Sequence, residues 1–315
     1  MGGGILILTV TMNPSVDISY PLTTLELDAV NRSTQTRKTA GGKGLNVTRV
    51  ISLMKTDVLA TGIVGGTVGM FIEKELLKEQ IQYDFFKTEQ ESRNCIAILH
   101  EGKQTEILEA GPEFTKVEER AFFKKFAALI CEMNLVTISG SLPLGIDPMI
   151  YHKMIKLGKT HQVKTLLDCS GNALKLAISN EPKPYLIKPN HEELCQLLEM
   201  KIPLKVVDLK AALLQDIFNG IEWIVVSLGA NGALVKVKND FYKAEIPKIN
   251  VINPVGSGDA TMAGLAAAIA QEKTVEDIIK TAMTTGMLNA LEVQTGSINY
   301  DNFSHYFKKI VVHSV

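Results

Sequence analysis

The sequence predicts an α/β fold: a mainly parallel sheet flanked by helices, carrying a small β-sheet lid. Short apolar runs bounded by turn residues alternate with helix-period segments along most of the 315 residues, the rhythm of βαβ units. Motifs rich in Gly, Asn and Pro follow directly after those runs, where sheets of this kind hold their ligands. Two stretches, Val16 to Thr39 and Asn94 to Glu109, break the rhythm and read as polar strands, which sets the lid apart.

Taken in order, ILILTVTM (Ile5 to Met12) reads as a buried strand, and a helix follows after Gly44. VLATGIV near Val58 is the next strand, with a helix over Met70 to Glu79. Within the second lid stretch, CIAILHEGKQTEILE reads as a hairpin turning at Gly102. NLVTISG (Asn134 to Gly140), VKTLLDCS (Val163 to Ser170), YLIKPN (Tyr185 to Asn190) and IEWIVVSLG (Ile221 to Gly229) are further strands, each expected to precede a helix. Runs this apolar suit strands covered on both faces. No internal repeat or Pro/Ser-rich linker interrupts them, so residues 5–315 are expected to form one domain, with lid segments at about 16–39 and 94–109 inserted in it.

Composition excludes several classes of function. Hydrophobic residues make up 46% of the chain, enough for a large core. Lys and Arg number 33 against 34 Asp and Glu, so the footprint of a general nucleic-acid binder is missing. Apolar runs fall far short of the roughly 20 residues that span a bilayer, and Met1 to Leu8 has no basic leader pattern, so a soluble, cytoplasmic protein is expected. MGGGIL has Leu6 where a myristoylation signal wants Ser or Thr; Met1 to Gly4 read as a flexible end or a non-native addition. Cys95, Cys131, Cys169 and Cys195 are widely spaced, which argues against zinc and disulfides.

Two nucleotide-binding lookalikes fail. A P-loop needs Gly where Arg37 stands and Ser or Thr where Gly44 stands. A dinucleotide fingerprint fails because GSGDAT ends on Thr261 and the glycines of Gly62 to Gly69 are wrongly spaced. Other motifs carry two readings each. In AGGKGLN, Gly41 and Gly42 either make a plain turn or let the backbone approach a polyhydroxylated ligand, with Lys43 and Asn46 supplying hydrogen bonds. Asp17 is a turn residue or an acceptor for two sugar hydroxyls, and Arg93 an edge arginine or a bidentate phosphate ligand. In KPNHEEL, Asn190 and Glu193 form a capping box or orient Mg²⁺ beside nucleotide phosphates with Lys188 nearby. NPVGSGDA sets Gly256, Ser257 and Gly258 before a helix as an anion cradle. Asp259 is then either an ordinary helix-start acid or a base beside a bound phosphate.

Together, GGKGLN, SGSLP, KPNHEEL, SLGANGA and NPVGSGDA occur in an order that resembles the PfkB-type, ribokinase-like sugar kinases, from Ile5 to the C-terminal region. TMNPSVDISYPL, RNCIAILHEG and GIEWIVVSLGA narrow the resemblance to kinases of a phosphorylated ketohexose, those of fructose phosphates included. The resemblance implies ATP and Mg²⁺, transfer to a sugar hydroxyl, and Asp259 as base with Gly256, Ser257 and Gly258 as anion hole. It assigns Asp17, Gly41, Gly42, Lys43, Asn46, Arg93 and Ser139 to the sugar phosphate. Lys188, Asn190, Ser227, Gly229 and Gly232 fall to the nucleotide, and Asn190 with Glu193 to the metal. A homodimer joined through the lid is expected, with neither nucleic acid nor membrane as partner. A regulator that kept the fold and lost catalysis is the rival from another class, and the intact GSGD argues against it.

Overall fold

The computed structural model describes residues 6–315; the readings placed on Met1 to Gly4, and the strand start at Ile5, lie outside them. The first half of the chain runs β1 (Leu6–Thr11), β2 (Ser15–Pro21), β3 (Arg37–Gly41), α1 (Lys43–Leu53), β4 (Asp57–Gly65), α2 (Gly66–Lys78), β5 (Gln82–Tyr83), β6 (Phe86–Thr88), β7 (Arg93–His100) and β8 (Lys103–Leu108). It continues through α3 (Lys116–Ile130), β9 (Leu135–Ser139), α4 (Ile150–Thr160), β10 (Lys164–Asp168), α5 (Gly171–Ser179), β11 (Leu186–Ile187), α6 (His191–Leu197) and α7 (Val206–Leu213). The last part holds β12 (Trp223–Ser227), β13 (Ala233–Val237), β14 (Asp240–Glu245), α8 (Ser257–Ala270), α9 (Val275–Ala290), α10 (Phe303–Phe307) and β15 (Val311–Ser314).

The main sheet has the order β15-β14-β13-β12-β11-β10-β9-β1-β4-β5, with β6 pairing β4. From β12 to β5 every neighbouring pair is parallel. Successive side chains on each central strand point to opposite faces, so both must be apolar to be covered by helices. Leu8, Leu167, Ile187 and Ile224 accordingly enter one core with α3–α7 residues such as Phe122, Met154 and Leu209. Their immediate neighbours Ile7, Leu166, Leu186 and Val225 enter another with α1, α8 and α9.

The lid is a second sheet of order β3-β2-β7-β8, made of the two stretches expected to form it, with the hairpin turning at Glu101 and Gly102. Val16, Ile18 and Ala40 of the lid share a third core with Ile72 and Leu76 of α2, so the lid rests on the main body through apolar contact.

One expected element is corrected. No α-helix follows β12; a single 3₁₀ turn at Gly229–Asn231 leads instead into the antiparallel strands β13 and β14, and β15 completes that edge. The alternation in ALVKVKNDFYKAE is a hairpin pattern, and its turn is made by Lys238 at φ 53° with Asn239. The expected strand at YLIKPN pairs over Leu186 and Ile187 only.

Helix α8 is apolar on every side and buried from Asp259 to Ile269, as a helix enclosed by other elements must be. Its small residues let α9 approach closely: a Cβ on Gly264 would lie 2.8 Å from Ala282 Cα and collide with the Thr285 hydroxyl. Gly264→Val should therefore force α8 and α9 apart and destabilise the protein by about 1–3 kcal/mol or more. Urea unfolding should show a lowered midpoint at unchanged slope.

Candidate active site

The carboxyl ends of β1, β9, β10, β11 and β12 lie along one edge of the parallel sheet, the edge at which sheets of this kind form a ligand cleft where the strand order reverses, here beside β1. Asn13, Ser139, Asp168, Lys188 and Ser227 stand at or just beyond those ends. From the opposite layer, α1 and α8, which pack against each other, bring their N-termini to the same cleft. Both helices begin on a glycine with positive φ, Gly42 at 98° and Gly256 at 82°, and neither start carries a side-chain cap. Residues with a side chain rarely adopt such φ values, and the uncapped starts leave backbone N–H groups for another acceptor. In α8 the Ser257 N–H bonds weakly to Pro254 O, at 3.3 Å, leaving those of Gly258 and Asp259 at the mouth of the helix.

Asp259 sits at this junction, 7% exposed, and accepts a hydrogen bond from Asn46 Nδ2 at 2.9 Å. Burial, helped by the negative charge of Asp168, raises its pKa to about 7; Asn46, Lys43 and Lys188 pull the other way. Lys188 Nζ lies 3.3 Å from Asp168 Oδ2, both side chains 5% exposed or less, and a Cβ on Gly258 would meet that same Nζ at 3.3 Å. An ammonium is thus pressed against the first turn of α8, where it adds to the positive end of the helix dipole. Lys43 reaches over from α1 to within 3.8 Å of Glu193, its pKa raised chiefly by Asp168 and then by Asp259 and Glu193. The cluster can receive an anion at the α8 N-terminus and take a proton at Asp259 from a group beside it.

Asp168 does not figure among the residues singled out from the sequence. It follows an apolar strand in LLDCSG, where a carboxylate reads as an ordinary strand-end residue. The signal that marks it is burial: it is 2% exposed, and its Oδ2 is met by the Lys188 ammonium as an ion pair at 3.3 Å, with no hydrogen bond of good geometry among the described residues.

The remaining predicted residues fall into two outlying groups. At the lid base, Asp17 accepts from Ser15 Oγ at 2.7 Å, and burial raises its pKa against the pull of Arg49 and Arg93. Any Cβ on Gly41 would strike the Asp17 carboxylate, which explains that glycine by space. Arg93 spends Nε on Asn13 O at 3.2 Å and Nη1 on Glu109 O at 3.0 Å, so part of its fork is already committed to the backbone. Ser139 is fully buried, and its hydroxyl has no hydrogen-bond partner among the described residues.

On the other side, Asn190 and Glu193 form the capping box of α6: Glu193 N donates to Asn190 Oδ1 at 2.8 Å and Asn190 N to Glu193 Oε2 at 2.9 Å. Glu193 keeps its second oxygen, Oε1, toward Lys43. Asn190 bridges to Ser227, linking this group to the end of β12. Gly229, at φ 57°, faces open space, whereas Gly232 is required because a side chain there would collide with Ala244 O. Among the described residues no group of three or more His, Cys, Asp or Glu is arranged to hold a metal.

A carboxyl group whose folded pKa is about 7 and whose unfolded value is 3.8 binds its proton more tightly when folded. It therefore lowers stability as pH rises from about 4 to about 7, and the loss is complete above that. Asp259→Asn, neutral at every pH, should be more stable than the parent at pH 8 by up to about 4 kcal/mol, with the difference vanishing near pH 4. Thermal melts at both values check the sign.

Comparison with known proteins gives the family and the fold. The family model of the pfkB family carbohydrate kinases matches residues 10–301. Tagatose-6-phosphate kinases from two strains of Staphylococcus epidermidis are 51% identical over 307 residues, covering 98% of this chain and 99% of theirs. Phosphofructokinase-2 from Escherichia coli, solved with substrates and products, superposes with a TM-score of 0.86 at 24% identity, over 97% of this chain and 99% of that one. A chain with this ribokinase-like sheet and lid, matched along nearly its whole length, belongs to the pfkB family of carbohydrate kinases.

Proposed function

We propose that the protein transfers the γ-phosphoryl group of ATP to the C1 hydroxyl of D-tagatose 6-phosphate, giving the 1,6-bisphosphate, as a step of lactose and galactose catabolism. Relatives named tagatose-6-phosphate kinase, at 51% identity over 98% of the chain, support the sugar. The observation that carries the chemistry is the buried carboxylate of Asp259 beside Lys188 and the uncapped start of α8.

The roles follow from that arrangement. Asp259 accepts the proton of the attacking hydroxyl as the new O–P bond forms and the bond from the γ-phosphorus to the bridging oxygen of ADP breaks. We assign Gly256, Ser257 and Gly258 as the anion hole: the Gly258 N–H faces the charge gathering on the phosphoryl oxygens, the Ser257 N–H joins it on giving up its weak bond to Pro254 O, and Lys188 stands beside them. Such transfers depend on position and charge more than on covalent chemistry with the protein.

We assign Asp17, Gly41, Gly42, Lys43, Asn46, Arg93 and Ser139 to the sugar phosphate under the lid. Lys188, Asn190, Ser227, Gly229 and Gly232 line the nucleotide side, where Gly229 leaves open space. Mg²⁺ ordinarily binds through one or two protein oxygens together with substrate phosphates, which suits Glu193 Oε1 and Asn190 better than a dedicated metal cage. When bound, it would neutralise phosphate charge.

The reading treats residues 5–315 as one kinase domain with an inserted lid, working in the cytoplasm, and among the described residues no helix is long and apolar enough to cross a membrane. It also takes the lid as the homodimer interface, since Ile107 and Leu108 are 54% and 60% exposed on its outer strand β8. A fructose-phosphate kinase of the same family is the alternative. A binding protein without catalysis fits poorly, because a carboxylate that destabilises the fold near neutral pH serves no binder.

Asp259→Asn should keep affinity for ATP and sugar phosphate while kcat falls roughly 10²- to 10⁴-fold. In the parent, kcat/KM should decline as pH drops below about 7, where Asp259 takes up its proton. Calorimetric binding beside a coupled ADP-release assay tests both, and near-parental turnover in the variant would overturn the mechanism. Arg93→Ala should raise KM for the sugar phosphate roughly 10- to 150-fold and leave that for ATP nearly unchanged. The ratio of kcat/KM for the tagatose and fructose 6-phosphates decides the sugar, since the two differ only in the C4 hydroxyl.

A further inference from the structure

Arg49 lies one helical turn beyond Asn46 in α1 and is 4% exposed, so its guanidinium has to be satisfied by protein groups. Nε donates to both carboxylate oxygens of Glu79, which follows the last residue of α2, at 2.9 Å each. Nη2 donates to Ala40 O at 2.6 Å, and Nη1 to Asn46 Oδ1 at 3.3 Å. A guanidinium has donors only, so the atom of the Asn46 amide facing it has to be the oxygen. The amide nitrogen is then turned the other way, onto Asp259 Oδ2 at 2.9 Å. Gly296 closes the arrangement: a Cβ there would stand 2.8 Å from Asn46 Oδ1 and 2.9 Å from Arg49 Nη1, so no side chain can wedge the pair apart.

From this chain of contacts we propose that Arg49, anchored by Glu79, is a positioning residue for phosphoryl transfer that locks the Asn46 amide with its nitrogen toward Asp259. The proposal rests on Asp259 being the base. With the amide reversed, its oxygen would oppose the Asp259 carboxylate, two acceptors face to face. The ionised base would lose a hydrogen-bond donor and the orientation that donor imposes. The charged groups acting on Asp259 are Asp168, Lys43 and Lys188. Those acting with Arg49 are Glu79 and Asp17. None of these replaces the neutral amide as the partner of Asp259 Oδ2.

Arg49→Lys keeps the charge and the pairing with Glu79, but a single ammonium cannot serve Glu79, Ala40 O and Asn46 Oδ1 in one plane. It should lower kcat roughly 10-fold or more, with both KM values within about threefold of the parent. The acid limb of the kcat/KM profile should also move to higher pH. Introduced into Asn46→Ala, the same change should alter kcat less than about twofold, because the group it acts through is gone. Equal losses in both backgrounds, or an unchanged kcat in the single variant, would overturn the proposal. If Arg49→Lys fails to fold by circular dichroism, Glu79→Gln is read by the same criteria. Asp259→Asn measured alongside separates the two readings. Retained turnover there removes the base itself, whereas collapse there combined with additive Arg49 and Asn46 losses removes only the positioning role.

Discussion

A carboxylate buried at the start of a helix has to be held by something other than water, and this requirement organises the candidate site. Asp259 is enclosed where α1 and α8 meet, and burial alone would keep it protonated. A neutral amide, two lysines and the positive end of α8 work against that, and Asp168 works with it. The outcome is a group balanced near neutral pH, able to take a proton from a hydroxyl and give it up again. Lys188 shows how closely the opposed charges are tied: it is bound to Asp168 on one side and lies against Gly258 on the other. Moving either acid changes what the α8 N-terminus offers an anion.

The fold supplies the rigidity for this balance. Asp168, Lys188 and Ser227 come from three adjacent strands, while Asn46 and Asp259 come from helices on one face of the same sheet. Strand ends and helix starts therefore converge without a long loop among the charged groups. The lid residues Asp17 and Arg93 occupy neighbouring strands, β2 and β7, in a separate sheet resting on α2. The groups assigned to substrate are thus divided between the main body and a smaller sheet joined to it by apolar contact.

Much of this was legible in the sequence, and the reasons differ by residue. GGKGLN and NPVGSGDA were legible as helix starts because each places at the N-cap a glycine, Gly42 or Gly256, whose positive φ other residues rarely adopt, while Gly41 is required by the space beside Asp17. The parallel core was legible because its strands are apolar on both faces. The antiparallel edge was not, since the βα rhythm was carried one strand too far past Gly229, although the alternation in VKVKNDFYK marked a hairpin. Asn190 and Glu193 fitted two roles by spacing alone, and the capping box is formed while one oxygen stays directed at Lys43. Asp168, Arg49 and Glu79 were invisible for another reason. A strand-end aspartate, a mid-helix arginine and a helix-end glutamate are the most ordinary of surface residues, and only three-dimensional burial makes the first two exceptional.

The hydrogen bond between Asn46 and Asp259 joins residues 213 positions apart in the chain. Contacts between such distant residues close late, because the chain between them must first be ordered. On the ribosome, β1, the lid strands and α1 are synthesised long before α8, and a domain folds as a unit. A chain stopped before residue 257 has neither α8 nor the Asp259 carboxylate, and on the proposed mechanism it lacks the base for phosphoryl transfer. On the proposed mechanism, phosphoryl transfer is therefore confined to molecules whose synthesis has passed α8.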